Sequence, residues 1–490
     1  MDHPNLKAIA EQAMRERGFL VKSPPEAIEQ LKTETEPPLD SLKVVDLSSW
    51  LWSSIDNDES RDLDQIEYAK KEAGGTRIYV GIAEVDWFVA LNSALDRAAV
   101  QNTTSVYTGI ETFPMLPDKL STDLSSLNEG AKRLAIVVEI LVSDGGDDGR
   151  ILESSVYPAI VQNGAQLTYN GVAAWLDGES SAAGTATFEK IQKSKELQDQ
   201  IRMQEKAAVF LRQRRHEAGA LSFHTSELQP ITSADGTVID LQTRRQNRAS
   251  FLVEDFMIAA NQSTATFLDQ KGLPTLRRVV RDPERWQRIV ALARSLGGNL
   301  PAEPDAKSLE EFLQQQQRLN PAHFSDLSLS VIKLLGRGEY VLKLPGDQAP
   351  GHFGLAVRNY SHSTAPNRRY PDLVTQRLLK AAFAGTNSPY SADDLRALAK
   401  HCTEREDAAG KVERLVKKCA AATLLVSRIG ERFDAVVSGI SAAGTWVRLS
   451  HPPVEGKLIG SVAQLDVGHR VRVRLVSADP EKGFIDFELN

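Results

Sequence analysis

The spacing of apolar residues near the start of the chain predicts two short helices. Apolar side chains recur at helical intervals within residues 5–17, and Pro24-Pro25 opens a second helical pattern that ends near Leu31. Residues 33–41, TETEPPLDS, have the composition of a linker. We therefore expect residues 1–43 to form a small helical N-terminal unit.

Strand-like runs of β-branched residues follow the linker. The segments IYVGIAEV, RLAIVVEILV and RILESSVYPAIV predict a β-rich section over residues 44–162. Between the last two segments, the Asp- and Gly-rich residues 143–149 predict the turn of a β-hairpin. The main domain is thus expected to begin with a sheet.

A helical period replaces the strand pattern further along the chain. Residues 186–217 are predicted to form one long charged helix and residues 247–271 a second one, with several more between residues 275 and 430 separated by Pro and Gly. Because strands and helices are grouped instead of alternating, the predicted fold class is α+β.

The end of the chain returns to short strands spaced by Gly and Pro. From Phe433 onward these are DAVVSGI, TWVRL, KLIGSV, HRVRVRLV and FIDFEL. Five strands in so short a segment predict a small OB-type barrel. We accordingly divide the chain into residues 1–43, 44–430 and 431–490.

The composition excludes several classes of protein. With 490 residues, of which 41% are hydrophobic and 25% charged, the chain lies in the ordinary globular range. Its two cysteines, Cys402 and Cys419, are too few for a disulfide framework, and no apolar run approaches the ~18 residues of a membrane span. The charged N-terminus is unlike a signal peptide. We expect a cytoplasmic, monomeric protein without a membrane segment.

The net charge of -7 is unevenly distributed. Residues 1–64 hold fourteen acidic and seven basic side chains, whereas residues 366–430 hold twelve basic and seven acidic ones. Local fields, more than the total charge, attract polyanions. The positive surplus in residues 366–430 is equally compatible with a solvated helix face, so the sequence leaves both interpretations open.

The densest chemical signal is SIDNDESRDLDQ, residues 54–65, with five carboxylates in nine residues. Asp62 and Asp64 would lie on one side of an extended segment, and a turn could bring Asp56 beside them. Such hard oxygen ligands favour magnesium, which assists phosphodiester hydrolysis by neutralising charge and activating water. A solvated acidic loop is one alternative. An EF-hand calcium loop is another, although Arg61 stands where that loop needs glycine.

An ordered set of motifs accompanies this acidic segment. They are SIDNDESRDLDQ, VGIAEVDWFV, TSVYTGIETFPMLPDKLSTDLSSLNEG, QLTYNGV, VEDFMIAAN and HFGLAVRNYSHSTAPNRRYPDLVTQRLL. Together, over residues 44–430, they resemble the RNB domain of the ribonuclease II family, and the barrel resembles an OB-fold RNA-binding domain of ribosomal-protein type. The resemblance implies a magnesium-dependent exoribonuclease that degrades single-stranded RNA from the 3′ end. Family members commonly carry two cold-shock-type folds first, whereas residues 1–43 look helical.

The resemblance assigns the metal ligands residue by residue. Asp56, Asp62 and Asp64 match the first three aspartates of the family's metal site, and Asp64 is also expected to be catalytic. Gln65 stands where a fourth aspartate is usual. An amide oxygen can ligate a metal or position water, but it carries no charge, so the sequence leaves the number of metal ions open.

Further matches concern the RNA. Tyr107 matches an aromatic residue that clamps the 3′-terminal nucleotide, and Phe223 in GALSF is a candidate stacking partner. Stacking accepts any base, which suits an enzyme without sequence preference. Arg368 matches the arginine that contacts the scissile phosphate, and Glu413 matches a glutamate of the active site.

The sequence thus predicts a hydrolytic 3′-to-5′ exoribonuclease that releases nucleoside 5′-monophosphates. In the C-terminal barrel, Phe433, Trp446 and Arg448 lie on successive strands of the pattern and are expected to hold RNA by stacking and charge. The alternative is that Phe433 and Trp446 fill the barrel core. An RNA-binding protein with a disabled nuclease domain is the main alternative, because of Gln65 and the missing cold-shock folds.

Overall fold

The computed structural model describes residues 5–144, 149–179, 185–224, 226–233, 238–441, 444–460 and 465–490. Part of the hairpin turn expected at residues 143–149 lies outside the described residues, because these omit 145–148. Across the described ranges, no helix is both long enough and apolar enough to cross a membrane.

Two helices begin the chain, as predicted: α1 (Leu6–Glu16) and α2 (Pro25–Thr33). The side chain of Asn5 caps α1 by accepting a hydrogen bond from the N–H of Ala8 at 3.0 Å. Both helices pack on the main domain. Helix α1 contacts apolar residues of that domain, and α2 contributes side chains to its hydrophobic core. The N-terminal unit therefore covers an apolar surface of the main domain.

The predicted β-rich section is confirmed as a curled sheet. Its elements are β1 (Val45–Asp46), β2 (Trp52–Asp56), β3 (Gln65–Glu72), β4 (Gly75–Ala83), α3 (Ala94–Asn102), β5 (Val106–Tyr107), β6 (Thr112–Phe113), β7 (Lys132–Ser143) and β8 (Ile151–Thr168). Six strands follow the order β1-β8-β2-β3-β4-β7, while β5 and β6 form a separate small hairpin. The long β8 pairs with β7 along its first part and with β2 along its last part, so the sheet closes back on itself.

Four helices follow the sheet and pack against it. They are α4 (Tyr169–Leu176), α5 (Thr185–Lys193), α6 (Lys195–Glu217) and α7 (Arg248–Gln270). The prediction of one helix over residues 186–217 is wrong, because the chain breaks at Ser194. The hydroxyl of Ser194 accepts a hydrogen bond from the N–H of Leu197 at 3.2 Å and caps the new helix.

The second half of the main domain is mostly helical, as expected. Its helices are α8 (Trp286–Ser295), α9 (Ala306–Leu319), α10 (Phe324–Leu335), α11 (Tyr370–Ala384) and α12 (Ala392–Leu425). The described residues also form two hairpins that the sequence pattern did not predict: β9 (Ser226–Thr232) with β10 (Val238–Arg245), between α6 and α7, and β11 (Thr275–Val279) with β12 (Glu339–Lys343). The α+β class is therefore confirmed.

The C-terminal strands form the predicted closed barrel. They are β13 (Arg432–Ser441), β14 (Gly444–Leu449), β15 (Glu455–Ile459), β16 (Arg470–Asp479) and β17 (Phe484–Leu489), in the order β13-β14-β15-β17-β16. The expectation that Phe433 stacks on RNA is wrong, because Phe433 is buried in the barrel core with its ring centroid 6.4 Å from that of Phe487. The thiol of Cys419 on α12 donates to the C=O of Glu481 at 3.4 Å, so the barrel rests on this helix.

Candidate active site

The acidic segment is the connection between β2 and β3. Asp56 is the last residue of β2, and Asp64 comes immediately before β3. Between them, the hydroxyl of Ser60 donates to Asp56 Oδ1 at 2.7 Å and closes a turn. Strands instead of helices flank this loop, so the EF-hand interpretation is wrong.

Asp64 is held by the loop that precedes α11. Arg368 Nε donates to Asp64 Oδ2 at 2.9 Å, and the backbone N–H of Asn367 donates to Asp64 Oδ1 at 3.3 Å. Asp64 is 2% exposed, and its burial raises its pKa to about 7, against the opposing effect of the Arg368 charge. A further cation beside this carboxylate would stabilise its ionised form.

Tyr107, on β5, contacts two other predicted site residues. Its hydroxyl donates to Asp62 Oδ2 at 3.2 Å, and its backbone N–H donates to Glu413 Oε1 on α12 at 3.1 Å. Tyr107 is 40% exposed, so its ring is accessible to a base. The structure therefore brings together Asp62, Tyr107 and Glu413, which are distant in the sequence.

Two buried residues that the sequence analysis missed fix the loop carrying Arg368. Asn261 Oδ1 on α7 accepts the N–H and the hydroxyl of Ser363, at 2.8 and 2.9 Å. Asp372 accepts the N–H of Ala365 at 2.9 Å and pairs with Arg369 at 2.7 Å. The sequence feature that could have identified both residues is their position in the motifs VEDFMIAAN and NRRYPD.

Gln65 projects to the opposite side of the chain from Asp64. It begins β3, where it pairs with Ile82, and the C=O of Asp64 already accepts the N–H of Ala83 at 2.9 Å. Successive residues of an extended strand alternate between faces, so Gln65 shares its face with Glu67. Both carboxylate oxygens of Glu67 are buried without a hydrogen-bond partner in the described part of the chain, and this burial raises its pKa well above the usual range.

Three of the predicted RNA-binding residues lie outside this cluster. Phe223 is half-buried and packs against the apolar cluster formed by helices α8 to α10. Trp446 and Arg448 are half-buried on β14, where they alternate with the inward-facing Val447. Both therefore lie on the outer side of the barrel, and RNA contact by all three residues stays a prediction.

The predicted metal ligands are all carboxylates, which are suitable ligands for a hard divalent cation. Asp56, Asp62 and Asp64 offer carboxylate oxygens, the ligands that magnesium prefers. The hydrogen bonds recorded for Asp56 and for Asp62 use one oxygen of each carboxylate. Over the described residues, no three His, Cys, Asp or Glu side chains lie close enough together to hold a metal ion. Asp62 nevertheless lies close enough to Asp56 and to Asp64 for its charge to contribute to the raised pKa of both carboxyl groups, which burial raises most.

Family comparisons agree with this fold. Residues 44–385 match the RNB domain, and residues 431–490 match the RNase II-type exonuclease C-terminal S1 domain. The chain belongs to the RNB domain family.

Individual relatives are similar over most of this chain. It is 28% identical to ribonuclease R 1 of Lactococcus lactis, with 95% of this chain and 59% of the relative aligned. It is 30% identical to ribonuclease R of Escherichia coli, with 95% of this chain and 60% of the relative aligned. The chain thus spans about three fifths of the length of these relatives.

A solved structure shows the same fold. Mycoplasma genitalium RNase R, in complex with ribose-methylated single-stranded RNA, superposes with a TM-score of 0.87 at 22% identity. The alignment covers 99% of this chain and 78% of that one. At this identity the likeness concerns the architecture.

Proposed function

We propose that this protein is a hydrolytic 3′-to-5′ exoribonuclease that uses Mg²⁺ to degrade single-stranded RNA to nucleoside 5′-monophosphates. The observation that carries the proposal is the meeting, in a chain of the RNB family, of Asp64 with Arg368 and of Asp62 with Tyr107. We further propose that it acts as a monomer and in the cytoplasm, a reducing compartment with which the two free thiols, Cys402 and Cys419, are compatible.

Arg368 is the candidate phosphate ligand. Its Nε is bound to Asp64, and within the described structure its two terminal amino groups make no hydrogen bond. The side chain is 40% exposed. Asp64 would therefore fix the guanidinium while the terminal amino groups take two phosphate oxygens. A fixed cation there stabilises the negative charge that builds up on the phosphoryl group.

Asp56, Asp62 and Asp64 would hold the magnesium ion. When bound, this ion supplies charge neutralisation at the phosphate and lowers the pKa of a bound water. Tyr107 would stack on the terminal base, an interaction of about 1–3 kcal/mol. Glu413 would keep Tyr107 in place through its hydrogen bond to the backbone N–H.

Asp64→Asn tests the proposal. The variant keeps the shape of the side chain but removes the charge that faces Arg368 and the metal, so hydrolysis should be lost while RNA affinity changes little. The assay follows 5′-labelled single-stranded RNA with and without Mg²⁺. The unaltered protein should shorten the RNA only when Mg²⁺ is present. Glu59→Gln is the matched control, since it removes one charge from an exposed position of the same loop. Hydrolysis by Asp64→Asn would overturn the assignment.

A second candidate is an RNA-binding protein with an inactive nuclease domain. It is favoured by Gln65, which replaces an aspartate of the family pattern and projects away from Asp64. The same assay separates the two functions, because a binding protein gives a shifted complex at every magnesium concentration and no shortened RNA.

A further inference from the structure

We propose that the exposed side of α12 near its C-terminal end binds the RNA backbone between the candidate active site and the barrel. We call this surface the α12 basic face and define it by Lys411, Arg414, Lys417 and Lys418. The inference rests on the proposed function, because it assigns a further contact for the same single-stranded RNA.

The α12 basic face spans two contacts that the helix makes. Glu413 touches the candidate site through the backbone N–H of Tyr107. At the other end the barrel approaches closely, since a Cβ built on Gly483 would lie 2.8 Å from the Cβ of Lys418. With a rise of about 1.5 Å per residue, the face extends for roughly 10 Å along the helix. A strand leading from the barrel to Tyr107 would pass over this stretch.

The orientation of α12 turns this face away from α1. Val412 and Val416 are buried against α1. At about 100° per residue, Arg414 projects to the side opposite these two valines. Lys411 and Arg414 are exposed, and Lys417 and Lys418 are half-buried. The basic side chains therefore line a surface that α1 does not cover.

Basic side chains outnumber acidic ones on this face, because residues 411–418 hold four basic side chains and one acid. Within the described residues, no ion pair is formed by Lys411, Arg414, Lys417 or Lys418. Lys418 does contribute to the lowered pKa of Glu455, but the effect of Lys333 on that carboxyl group is larger. The nearest acid is Glu413, four residues before Lys417, and its Oε1 accepts the backbone N–H of Tyr107. Glu406 and Asp407, further towards the N-terminus of the helix, are paired with Arg278 and Arg337.

The other half of the same helix behaves differently. There, Arg396 pairs with Asp393 and Lys400 pairs with Glu404. The basic surplus of residues 366–430 is thus concentrated, in unpaired form, where α12 runs from Tyr107 to the barrel. Four unpaired cations on one face suit a chain of phosphates, which interact with charge regardless of sequence.

A charge-removing variant tests the proposal. Lys411→Gln, Arg414→Gln and Lys417→Gln are combined, and Lys418 is left in place because it packs on the barrel. Affinity for an RNA long enough to reach both the barrel and the site is measured without magnesium over a series of salt concentrations. Each lost phosphate contact should reduce the slope of log association constant against log salt concentration by about 0.7. Removing three contacts should therefore change this slope by about 2. Hydrolysis of a trinucleotide with Mg²⁺ should fall less than hydrolysis of the long RNA, because a trinucleotide held at Tyr107 can reach only the part of the face beside Glu413.

The double variant Arg396→Gln and Lys400→Gln is the matched control on the same helix, and circular dichroism verifies that all variants fold. If the unaltered protein neither binds nor cuts RNA, the proposed function itself fails. If it does both and the triple variant keeps the original salt slope, the α12 basic face is not an RNA contact. If hydrolysis of the trinucleotide falls as much as hydrolysis of the long RNA, the inference is also overturned, because the effect would then lie at the active site.

Discussion

Replacing Asn261 with alanine should lower both the stability of the protein and the efficiency of its chemistry, by separate routes. Asn261 is 2% exposed and Ser363 is 7% exposed, and Asn261 Oδ1 accepts both the N–H and the hydroxyl of Ser363. In the variant these two donors stay buried without a partner. Each costs about 1–3 kcal/mol, so the free energy of unfolding should fall by about 2–6 kcal/mol.

The same change should displace the loop that carries Arg368. Ser363 and Arg368 lie on one loop, and a shift of about 1 Å in a reacting group reduces the rate on the order of 100-fold. We therefore expect kcat to fall by this factor. KM for RNA should change only a few-fold, because Tyr107 and Glu413 do not touch Asn261 and keep their contact with each other.

Denaturant unfolding and RNA hydrolysis, at a temperature where the variant is folded, measure the two effects. Gln262→Ala is the control, because the hydrogen bond recorded for Gln262 uses its backbone C=O, which accepts from Thr266. Unchanged stability of Asn261→Ala would refute the role of these hydrogen bonds. A destabilised variant that cuts RNA at the original rate would refute the positioning of Arg368 through Asn261.

Three further predictions concern other parts of the chain. Gln65→Asp should preserve or increase the magnesium-dependent rate, since it restores a carboxylate; a folded but inactive variant would show that the amide is needed. A chain ending after Arg428 should bind long RNA more weakly yet turn over short RNA normally, and an equal loss at every length would show that the barrel is no distal anchor. Burial lowers the pKa of His352 to about 4. Because the unfolded chain takes up that proton near pH 6.5, stability should fall from pH 6.5 to pH 4 by at most about 3 kcal/mol. Denaturant titrations of the original chain and of His352→Gln should differ over that range, and identical pH curves would contradict the assignment.

The sequence predicted most of the elements whose pattern is local. The two helices of the N-terminal unit, the β-rich section and the five-stranded barrel all follow from periodicity and turn residues. The break at Ser194 was missed because charged residues continue the helical pattern on both sides of it, although the Ser before Lys-Glu-Leu is an N-cap signal. The hairpins of β9 with β10 and β11 with β12 were missed because each pairs short polar segments.

The candidate site was predictable in its residues and less so in its geometry. Motif resemblance placed Asp62, Asp64, Tyr107, Arg368 and Glu413, and the structure brings them into contact in the pairs described above. Periodicity could not reveal that Asn261 and Asp372 hold the loop of Arg368, because those contacts depend on tertiary packing. The assignment of domain boundaries and of chemical roles stays a prediction.

The pairing of β2 with β8 has a consequence for how the protein is made. Asn163 in β8 donates to the hydroxyl of Ser54 in β2 across 109 residues, Arg368 reaches Asp64 across 304, and Glu413 reaches Tyr107 across 306. Contacts so distant in sequence form slowly, because the loops between them must close first. A nascent chain therefore has the acidic loop long before it has the arginine and the glutamate that complete the site. We expect the growing polypeptide to stay inert toward RNA until the last long helix has left the ribosome.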